Sequence, residues 1–376
     1  MTWALLTGEY PPQPGGVSDY TRLVARGLAN AGDEVHVWAP GAAGPACEDP
    51  GVVVHRLPGH FGPQALRVLD ADLNRLPANR RVLVEYVPHA FGWKAMNVPF
   101  CLWLRSRRKD SVWSMFHEVA FPVAWKQRPS HNLLGIITGG MARLIARASE
   151  RIFYSTTAWL PVLERLGGTA EKTWLPVPSN LSETVERSAV ALARTRLSAS
   201  PESSVVGHFG TYSPQAQELL LKVFTLILES QPGTTALFAG RGSAAFKSRF
   251  VDRTPSIAHR VHTIETGCPT TLSAHLAACD VLVQPYPDGV TTRRASLMAS
   301  LALGKAIITN CGSLTEPLWE QSAAVSLIRG VSPEAIASAV QELLDSEAGM
   351  SELGARAAAL YADRFSLRHT LKVLSS

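Results

Sequence analysis

Gln284-Pro-Tyr-Pro-Asp-Gly-Val-Thr-Thr-Arg-Arg294 reveals the architecture of this chain through what stands on either side of it. The apolar run Asp280-Val-Leu-Val precedes it, and the amphipathic run Ala295-Ser-Leu-Met-Ala-Ser-Leu-Ala-Leu follows it. A short apolar run, a loop with proline and glycine, and a run of helical periodicity predict a strand–loop–helix unit. Two adjacent arginines therefore fall at the start of a helix.

The predicted loop has the chemistry of an anion site. The free N–H groups at a helix N-terminus attract anions, and arginine presents a charged fork that suits phosphate oxygens. Cations in a first helical turn oppose the helix dipole unless an anion lies beside them. With Asp288 as an acceptor for sugar hydroxyls, the loop predicts a pocket for a sugar diphosphate. A solvated loop with two surface arginines is the alternative.

The same alternation of strands and helices extends over most of the 376 residues. About six candidate strands occur in each half: 3–7, 34–39, 52–57, 82–87, 112–116 and 152–154, then 205–209, 235–239, 261–264, 281–285, 306–309 and 324–327. Apolar strands separated by helices predict an α/β chain with two doubly wound parallel sheets. A proline-punctuated and then small, polar stretch over 175–204 predicts the boundary, which gives domains 1–180 and 181–350. The tail 351–376 reads as a helix that can cross back to the first domain.

Composition narrows the function. The formal net charge of +5 suits anionic substrates but is too mild to indicate nucleic acid. The five cysteines are scattered without a C-x-x-C spacing, which predicts a reduced cytoplasmic protein. The N-terminus lacks the pattern of a signal peptide, and no apolar run is long enough to span a bilayer, so any membrane contact is expected to be peripheral and weak.

In open α/β sheets ligands bind at the carboxyl ends of the strands, so the loops that follow strands are the candidate sites. After the first strand, Gly15-Gly16 offers backbone N–H groups to a phosphate, and Ser18 or Asp19 is expected to cap the following helix. After the fifth strand, His117-Glu118 can contact a sugar hydroxyl or stabilise charge. A flexible turn and a structural histidine are the respective alternatives.

Three further loops have a polar or aromatic composition that fits sugar or phosphate binding. Residues 85–97 combine aromatic and hydrogen-bonding groups, and 207–215 and 239–243 are glycine-bearing loops after strands of the second half. The pair Asp70 and Asp72 has a spacing known from Mg²⁺ sites, but it falls on a predicted helix and reads as a solvated face. No metal site is predicted. Residues 100–109 join an apolar segment to a basic end, which fits a membrane surface or, more simply, cations at a helix C-terminus.

Together these motifs resemble retaining glycosyltransferases of family four. The resemblance spans about residues 5–320 and is carried by Glu9-Tyr-Pro-Pro-Gln-Pro-Gly-Gly-Val17, the strand-end His117, Gly207-His-Phe-Gly-Thr-Tyr212, Ala239-Gly-Arg-Gly-Ser243 and the segment 288–309. It implies the GT-B fold, in which two Rossmann-like domains face each other across a cleft that holds the active site. It also implies a metal-independent enzyme without a cofactor, whose donor substrate is a nucleotide sugar, most simply linked to UDP or GDP.

The resemblance assigns a role to each motif residue. The expected catalytic residues are His117, Arg293 and Arg294. The expected donor-binding residues are Gly15, Gly16, Gly210, Thr211, Tyr212, Arg241, Asp288, Gly289, Val290 and Thr291. The expected acceptor-binding residues are Glu9 with its neighbour Tyr10, Tyr86, His89 and Glu118.

The chain also departs from the family pattern of two glutamates separated by seven residues. Aligned from the left, the two places fall on Asp288 and Ser296; aligned backward from Gly304, they fall on Thr291 and Ala299. The family's Arg and Lys after the first strand of the second domain are missing as well. Arg293 and Arg294 are expected to take over the diphosphate charge, as in a divergent branch of the family.

The function expected from the sequence is transfer of a sugar from a nucleoside diphosphate to a hydroxyl acceptor, in polysaccharide or glycolipid assembly. The location expected is the cytoplasm or the inner face of a membrane, and the oligomeric state stays open. Two alternatives remain: a catalytically silent binding subunit, which the missing glutamate favours, and a sugar-nucleotide epimerase of the same architecture.

Overall fold

The structure is a computed structural model that describes residues 1–43, 48–198, 200, 202–265 and 269–376. The chain forms two compact units: unit 1 contains Met1–Val177 and Leu367–Ser376, and unit 2 contains Pro178–Ser366. Cys101, Cys279 and Cys311 are free thiols, whereas Cys47 and Cys268 lie outside the described residues. None of the helices in the described ranges is both long and apolar enough to cross a bilayer.

Unit 1 is built on a seven-stranded parallel sheet in the order β3-β2-β1-β4-β5-β6-β7. Its strands are β1 (Thr2–Thr7), β2 (Glu34–Pro40), β3 (Val52–Leu57), β4 (Arg81–Tyr86), β5 (Ser111–Phe116), β6 (Arg151–Tyr154) and β7 (Glu171–Trp174). The sequence pattern does not predict β7, because this edge strand has no fully buried residue and therefore no apolar run.

The helices of unit 1 cover the two faces of this sheet. They are α1 (Gly16–Asn30), α2 (Pro63–Arg75), α3 (Val98–Ser106), α4 (Pro129–Ala148), α5 (Leu160–Arg165) and the last helix of the chain, α14 (Leu367–Ser375). Helix α14 packs on α1, where Leu371 lies so close to Gly27 that a Cβ there would come within 2.9 Å of its Cδ1. Arg81 Nη1 donates to the carbonyl of Leu374 at 2.8 Å, which ties α14 to the sheet.

Unit 2 is a six-stranded parallel sheet in the order β10-β9-β8-β11-β12-β13. Its strands are β8 (Ser204–Phe209), β9 (Thr234–Ala239), β10 (Val261–Ile264), β11 (Val281–Gln284), β12 (Ala306–Asn310) and β13 (Ser326–Ile328). Its helices are α6 (Arg187–Leu197), α7 (Pro214–Ser230), α8 (Ser243–Arg253), α9 (Pro269–Ala277), α10 (Ala295–Ala302), α11 (Pro317–Ser322), α12 (Pro333–Leu344) and α13 (Glu347–Arg364). The predicted α/β class with two doubly wound parallel sheets is confirmed.

Both sheets reverse their strand order next to their first strand, between β1 and β4 in unit 1 and between β8 and β11 in unit 2. Helices on either side of such a reversal leave a crevice at the carboxyl ends of the two strands. The loops that follow β1, β4, β8 and β11 are therefore the places to look for a ligand site. These loops contain most of the residues that the sequence singles out.

Candidate functional site

In unit 2, the two arginines lie at the start of α10, as the sequence predicts, and both are bound to Asp288. Arg293 and Arg294 each donate from Nη2 to one of the two carboxylate oxygens of Asp288, and all three side chains are partly exposed. The guanidinium of Arg294 lies over the ring of Tyr286, 4.8 Å from its centroid. Both guanidinium groups thus share the carboxylate of Asp288 beside a helix N-terminus. Asp288 is predicted to accept hydrogen bonds from sugar hydroxyls, but in this structure both of its carboxylate oxygens accept from the arginines.

The loop that carries this cluster is fixed by its backbone. Gly289 has φ +87°, and a Cβ there would lie 2.3 Å from the amide nitrogen of Gly312, so only glycine fits. The Asp288 carbonyl accepts from the Leu314 amide at 3.0 Å, and Asn310 Oδ1 accepts from the Tyr286 amide at 2.8 Å. The loop after β11 is thereby held against the loop after β12.

A buried carboxylate that sequence reasoning misses completes this support. Glu316, which is 3% exposed, accepts from the amide of Thr292 at 2.7 Å and from its hydroxyl. Trp319 Nε1 donates to the same carboxylate at 2.9 Å. An acid just before Pro317 is an ordinary helix-start pattern, which hides its role in holding the segment before the two arginines.

Three buried polar atoms around the β8–β11 crevice have no hydrogen-bond partner among the described residues. They are Nε2 of His208, Oε1 of Gln284 and Oγ1 of Thr291. His208 Nδ1 lies 2.8 Å from the Val283 carbonyl, which can only accept, so Nδ1 carries the proton and Nε2 is left as an acceptor. Burial lowers the pKa of His208 to about 4. Unpaired buried polar atoms are rare and mark places where a ligand or water completes the hydrogen bonding.

The other predicted donor-binding residues of unit 2 differ in accessibility. Thr211 and Arg241 are exposed, and Gly210 lies beside His208, since a Cβ on it would be 3.3 Å from Nε2. Tyr212, expected to bind the donor substrate, is instead part of the core. Its ring stacks on Phe246 and its hydroxyl donates to the Ala239 carbonyl at 3.2 Å. Val290 is also fully buried, and its amide donates to the Asn310 carbonyl at 3.0 Å.

In unit 1, His117 follows β5 and pairs with a buried acid at the end of β4. Its Nε2 lies 2.8 Å from Oε2 of Glu85, which is fully buried, and its ring meets the edge of Tyr20 with centroids 4.7 Å apart. Burial, with a smaller contribution from Glu85, raises the pKa of Tyr20. The sequence does not single out Glu85, although an acid at the end of an apolar strand is a usable signal.

The glycine loop of unit 1 presents its helix N-terminus to an internal carboxylate. Oε1 of Glu9 accepts from the amides of Val17 and Ser18, both at 3.0 Å. A Cβ on Gly15 would lie 2.1 Å from this oxygen, whereas the space beside Gly16 is open. Glu9, predicted to touch the acceptor, thus fills the place that the sequence assigns to a phosphate. It also takes the capping role expected of Ser18, whose hydroxyl donates to the Gln13 carbonyl at 2.6 Å.

Of the remaining residues expected to contact the acceptor substrate, Tyr86 is instead a core residue. Its side chain is fully buried in the core and packs against Phe91 and Phe116, and burial raises the pKa of its phenol. His89 is exposed and Glu118 is partly exposed, and their side chains approach each other to 3.8 Å at the strand ends.

The two acids of Asp70-Ala-Asp72 on α2 are engaged in ion pairs. Asp70 pairs with Arg107 and Asp72 with Arg75. Across the ranges that the structure describes, no group of three or more His, Cys, Asp or Glu side chains is placed to hold a metal ion.

Comparisons with known proteins match both halves of the chain. Residues 15–178 match the model of a glycosyl transferase 4-like domain, and residues 203–346 match the model of glycosyl transferases group 1. A sequence comparison with curated proteins finds no match.

Solved structures with this fold cover nearly the whole chain. Alr3699/HepE from Anabaena, in complex with UDP-glucose, has a TM-score of 0.73 at 16% identity, covering 100% of this chain and 98% of that one. Sucrose-phosphate synthase from Thermosynechococcus elongatus has a TM-score of 0.74 at 17% identity, covering 100% and 97%. WaaG, a glycosyltransferase involved in lipopolysaccharide biosynthesis, has a TM-score of 0.68 at 12% identity, covering 96% and 95%. At these identities the similarity establishes the fold.

Proposed function

This chain belongs to the glycosyltransferases that join a 4-like domain to a group 1 domain, and we propose that it is a retaining enzyme using a nucleoside diphosphate sugar. The sugar moves to a hydroxyl acceptor. We assign donor binding chiefly to unit 2, and acceptor contacts and His117 to unit 1.

The arginine pair at the start of α10 is the observation that carries this proposal. Arg293 and Arg294 present two guanidinium groups at a helix N-terminus, where both donate to the carboxylate of Asp288. Guanidinium groups bind phosphate oxygens with two parallel hydrogen bonds, so two adjacent ones suit a diphosphate. The unpaired Nε2 of His208 and Oγ1 of Thr291 lie in the same strand-end region. Nε2 can accept a hydrogen bond from the sugar nucleotide, and the Thr291 hydroxyl can accept or donate one.

The proposed reaction uses this arrangement of charges. The bond between the anomeric carbon and the diphosphate oxygen breaks, and the new bond to the acceptor oxygen forms on the same face of the sugar. The acceptor's proton passes to the leaving phosphate oxygen, so no separate base is required. The two arginines and the α10 N-terminus stabilise the charge that grows on the diphosphate, which is worth a few kcal/mol per well-placed donor.

The proposal extends to the donor nucleotide, the pathway, the metal requirement and the location. UDP is the first donor nucleotide to test, since a structure of this fold was solved with UDP-glucose. Polysaccharide or glycolipid assembly is proposed because WaaG, a glycosyltransferase of this fold, is involved in lipopolysaccharide biosynthesis, and metal independence follows the family resemblance. The scattered cysteines favour the cytoplasm, with the acceptor at the inner face of a membrane.

The decisive experiment measures nucleoside diphosphate release and sugar transfer with UDP-, GDP- and ADP-sugars. We expect one donor class to bind, turnover to persist in EDTA, and the product to keep the donor's anomeric configuration by NMR. Arg293→Ala and Arg294→Ala are expected to lower kcat/KM about a hundredfold each while the fold is retained. The matched control is Arg196→Ala, an exposed arginine in the last turn of α6. Full activity in both α10 variants would remove the assigned role, and an inverted product would overturn the retaining assignment.

One observation favours a second candidate, a binding protein without turnover. Neither alignment with the family pattern supplies its second glutamate: one places Ser296 there, whose hydroxyl lies 3.0 Å from the Tyr286 hydroxyl, and the other places Ala299. Tight binding of a nucleotide sugar with no release of nucleoside diphosphate, in the presence of varied acceptors, would identify this function instead.

A further inference from the structure

We infer that the outer face of α3 and α4 in unit 1 is a docking surface for an anionic phospholipid bilayer, with a lipid phosphate held in an arginine-lined cavity. Its cavity lies at the sheet edge opposite to the strand ends described above, whereas its apolar part, at the start of α4 and on the loop before it, lies toward them. The inference does not depend on the chemistry of sugar transfer.

The cavity lies between the C-terminal ends of the two helices. It has a volume of about 220 Å³ and is lined by Leu104, Arg105, Arg107, Arg108, Arg147 and Ala148. Both helices connect parallel strands, so they run in the same direction and bring these ends together at the amino-terminal edge of the sheet. Ligands of the nucleotide class bind at the opposite edge, which makes this a separate site.

The cavity has more positive charge than its surroundings neutralise. The two nearby acids, Asp70 and Asp110, both pair with Arg107. Arg105, Arg108 and Arg147 are exposed and form no ion pair within the described part of the chain. The favourable interaction of a cation with a helix C-terminus explains a single arginine at the end of each helix. It does not explain why three arginines surround one cavity.

A buried donor in the cavity wall points to a ligand independently of this charge. Arg107 is only 6% exposed, and its Nη2 has no hydrogen-bond partner among the residues described. Its Nε and Nη1 are held by Asp110 and Asp70, so the guanidinium is fixed with one nitrogen left to donate. A phosphate oxygen supplies the missing acceptor.

Exposed apolar side chains on the same two helices favour a phosphate that belongs to a lipid. Leu102 on α3 is 53% exposed, and Leu133 and Ile136 on α4 are 57% and 63% exposed. On α4 these two lie in one stripe with Arg143 and Arg147, because the spacings of three and four residues return to the same helix face. Helix α4 therefore carries exposed apolar groups toward its start and cations toward its end, and α3 carries Leu102 in its middle and Arg105 in its last turn.

A tryptophan extends the apolar end of this surface. Trp125 is 98% exposed on the loop before α4, and the loop is held in place rather than free. Asn132 of α4 accepts from the Ala124 amide at 3.0 Å and donates to its carbonyl at 3.1 Å, and Gln127 Nε2 donates to the Pro122 carbonyl at 2.7 Å. A fully exposed indole beside cations and aliphatic groups is the composition that binds at the headgroup level of a bilayer.

The test is co-sedimentation of the full chain with phosphatidylcholine vesicles that contain or lack phosphatidylglycerol. We expect binding only to the anionic vesicles, weakened by salt. The triple variant Arg105→Gln, Arg108→Gln, Arg147→Gln is expected to lose about a hundredfold in partition coefficient, about fivefold per arginine. Trp125→Ser is expected to lose several-fold. Arg196→Gln, at the exposed C-terminal end of α6, is the matched control and should bind like the wild type.

Each other outcome counts against the inference. Equal binding of the triple variant and the wild type would remove the cavity from the interface, and equal binding to neutral vesicles would remove the charge argument. A thermal shift by inorganic phosphate that the triple variant lacks, without vesicle binding, would identify a free-phosphate site and overturn the lipid assignment. Because Arg107 and its acids stay intact, the variants should keep their unfolding temperature. Donor binding in unit 2 is measured in parallel, so failure here and failure of the proposed function are distinguished.

Discussion

At the scale of single residues, the most consequential contact is the one between Asp288 and the two arginines. In this structure the carboxylate holds the guanidinium groups that the proposed mechanism assigns to the donor's diphosphate. A diphosphate must therefore compete with Asp288 for them. The contact keeps two adjacent cations oriented before a ligand arrives, at the cost of some affinity for that ligand.

This competition gives the first prediction. Asp288→Asn is expected to tighten binding of UDP alone by several-fold, because the arginines lose their internal counter-charge. It should nevertheless lower sugar transfer, because the carboxylate no longer accepts from a sugar hydroxyl. Isothermal calorimetry with UDP and steady-state kinetics measure the two effects. Weaker UDP binding in this variant would show that Asp288 orients the arginines for the ligand rather than competing with it.

The second prediction concerns Glu85 as a positioning residue for His117. A carboxylate that accepts from Nε2 fixes the proton on that nitrogen and leaves Nδ1 free to accept from a sugar hydroxyl. Glu85→Gln can still accept through its carbonyl oxygen and should keep most activity. Glu85→Leu removes the acceptor and should lower kcat about tenfold to a hundredfold with little change in donor KM. The ¹⁵N shifts of His117 report the tautomer, and an unchanged tautomer in Glu85→Leu would contradict this role.

At the scale of elements, the loop between β11 and α10 depends on one backbone conformation. Gly289→Ala places a Cβ at φ +87° and 2.3 Å from the Gly312 amide nitrogen, so the loop must move away from β12. We expect a loss of about 2 kcal/mol or more in the free energy of unfolding, and loss of donor binding. Urea denaturation and UDP calorimetry measure both.

The chain offers a matched control for this prediction. Gly330 also has a left-handed φ, +75°, but nothing lies within 4 Å of a Cβ there. Gly330→Ala therefore reports the cost of the conformation alone, about 1–2 kcal/mol, and should leave UDP binding unchanged. If the two variants lose equal stability, the close approach of the two loops contributes nothing measurable.

The elements also show what sequence patterns can predict. Twelve of the thirteen described strands fall within two residues of the predicted positions, because buried parallel strands are continuous apolar runs bounded by turns. The exception, β7, is an edge strand without a buried side.

The candidate sites were less predictable than the elements for a physical reason. The sequence places Asp288, Arg293 and Arg294 in one loop and Glu9 next to Gly15, and the structure keeps them together. The sequence does not show whether Asp288 binds the two arginines or a ligand. Nor does it show whether the N-terminus of α1 binds Glu9 or a ligand. Glu85 and Glu316 are missed because their partners, His117 and Thr292, are more than twenty residues away in the chain.

At the scale of the whole molecule, His208, which is buried under the unit 2 crevice, should make the free energy of unfolding depend on pH. Burial lowers the pKa of His208 in the folded protein from 6.5 to about 4. Unfolded chains take up a proton on this side chain near pH 6.5, whereas the folded chain does so only near pH 4. The stability that depends on neutral His208 is thus fully present above about pH 6.5 and is lost as the pH falls toward 4.

Calorimetry of the full chain between pH 7.5 and about pH 4 measures this loss, which should reach about 3 kcal/mol for the transition of unit 2. In His208→Gln, the side-chain amide can still donate to the Val283 carbonyl but does not titrate, so this part of the slope should disappear while stability above pH 6.5 changes little. His89→Gln, an exposed histidine of unit 1, is the control and should keep the slope. An unchanged slope in His208→Gln would mean that the fall in stability with acid comes from the carboxylates of the chain, and that a proton reaches His208 without unfolding unit 2.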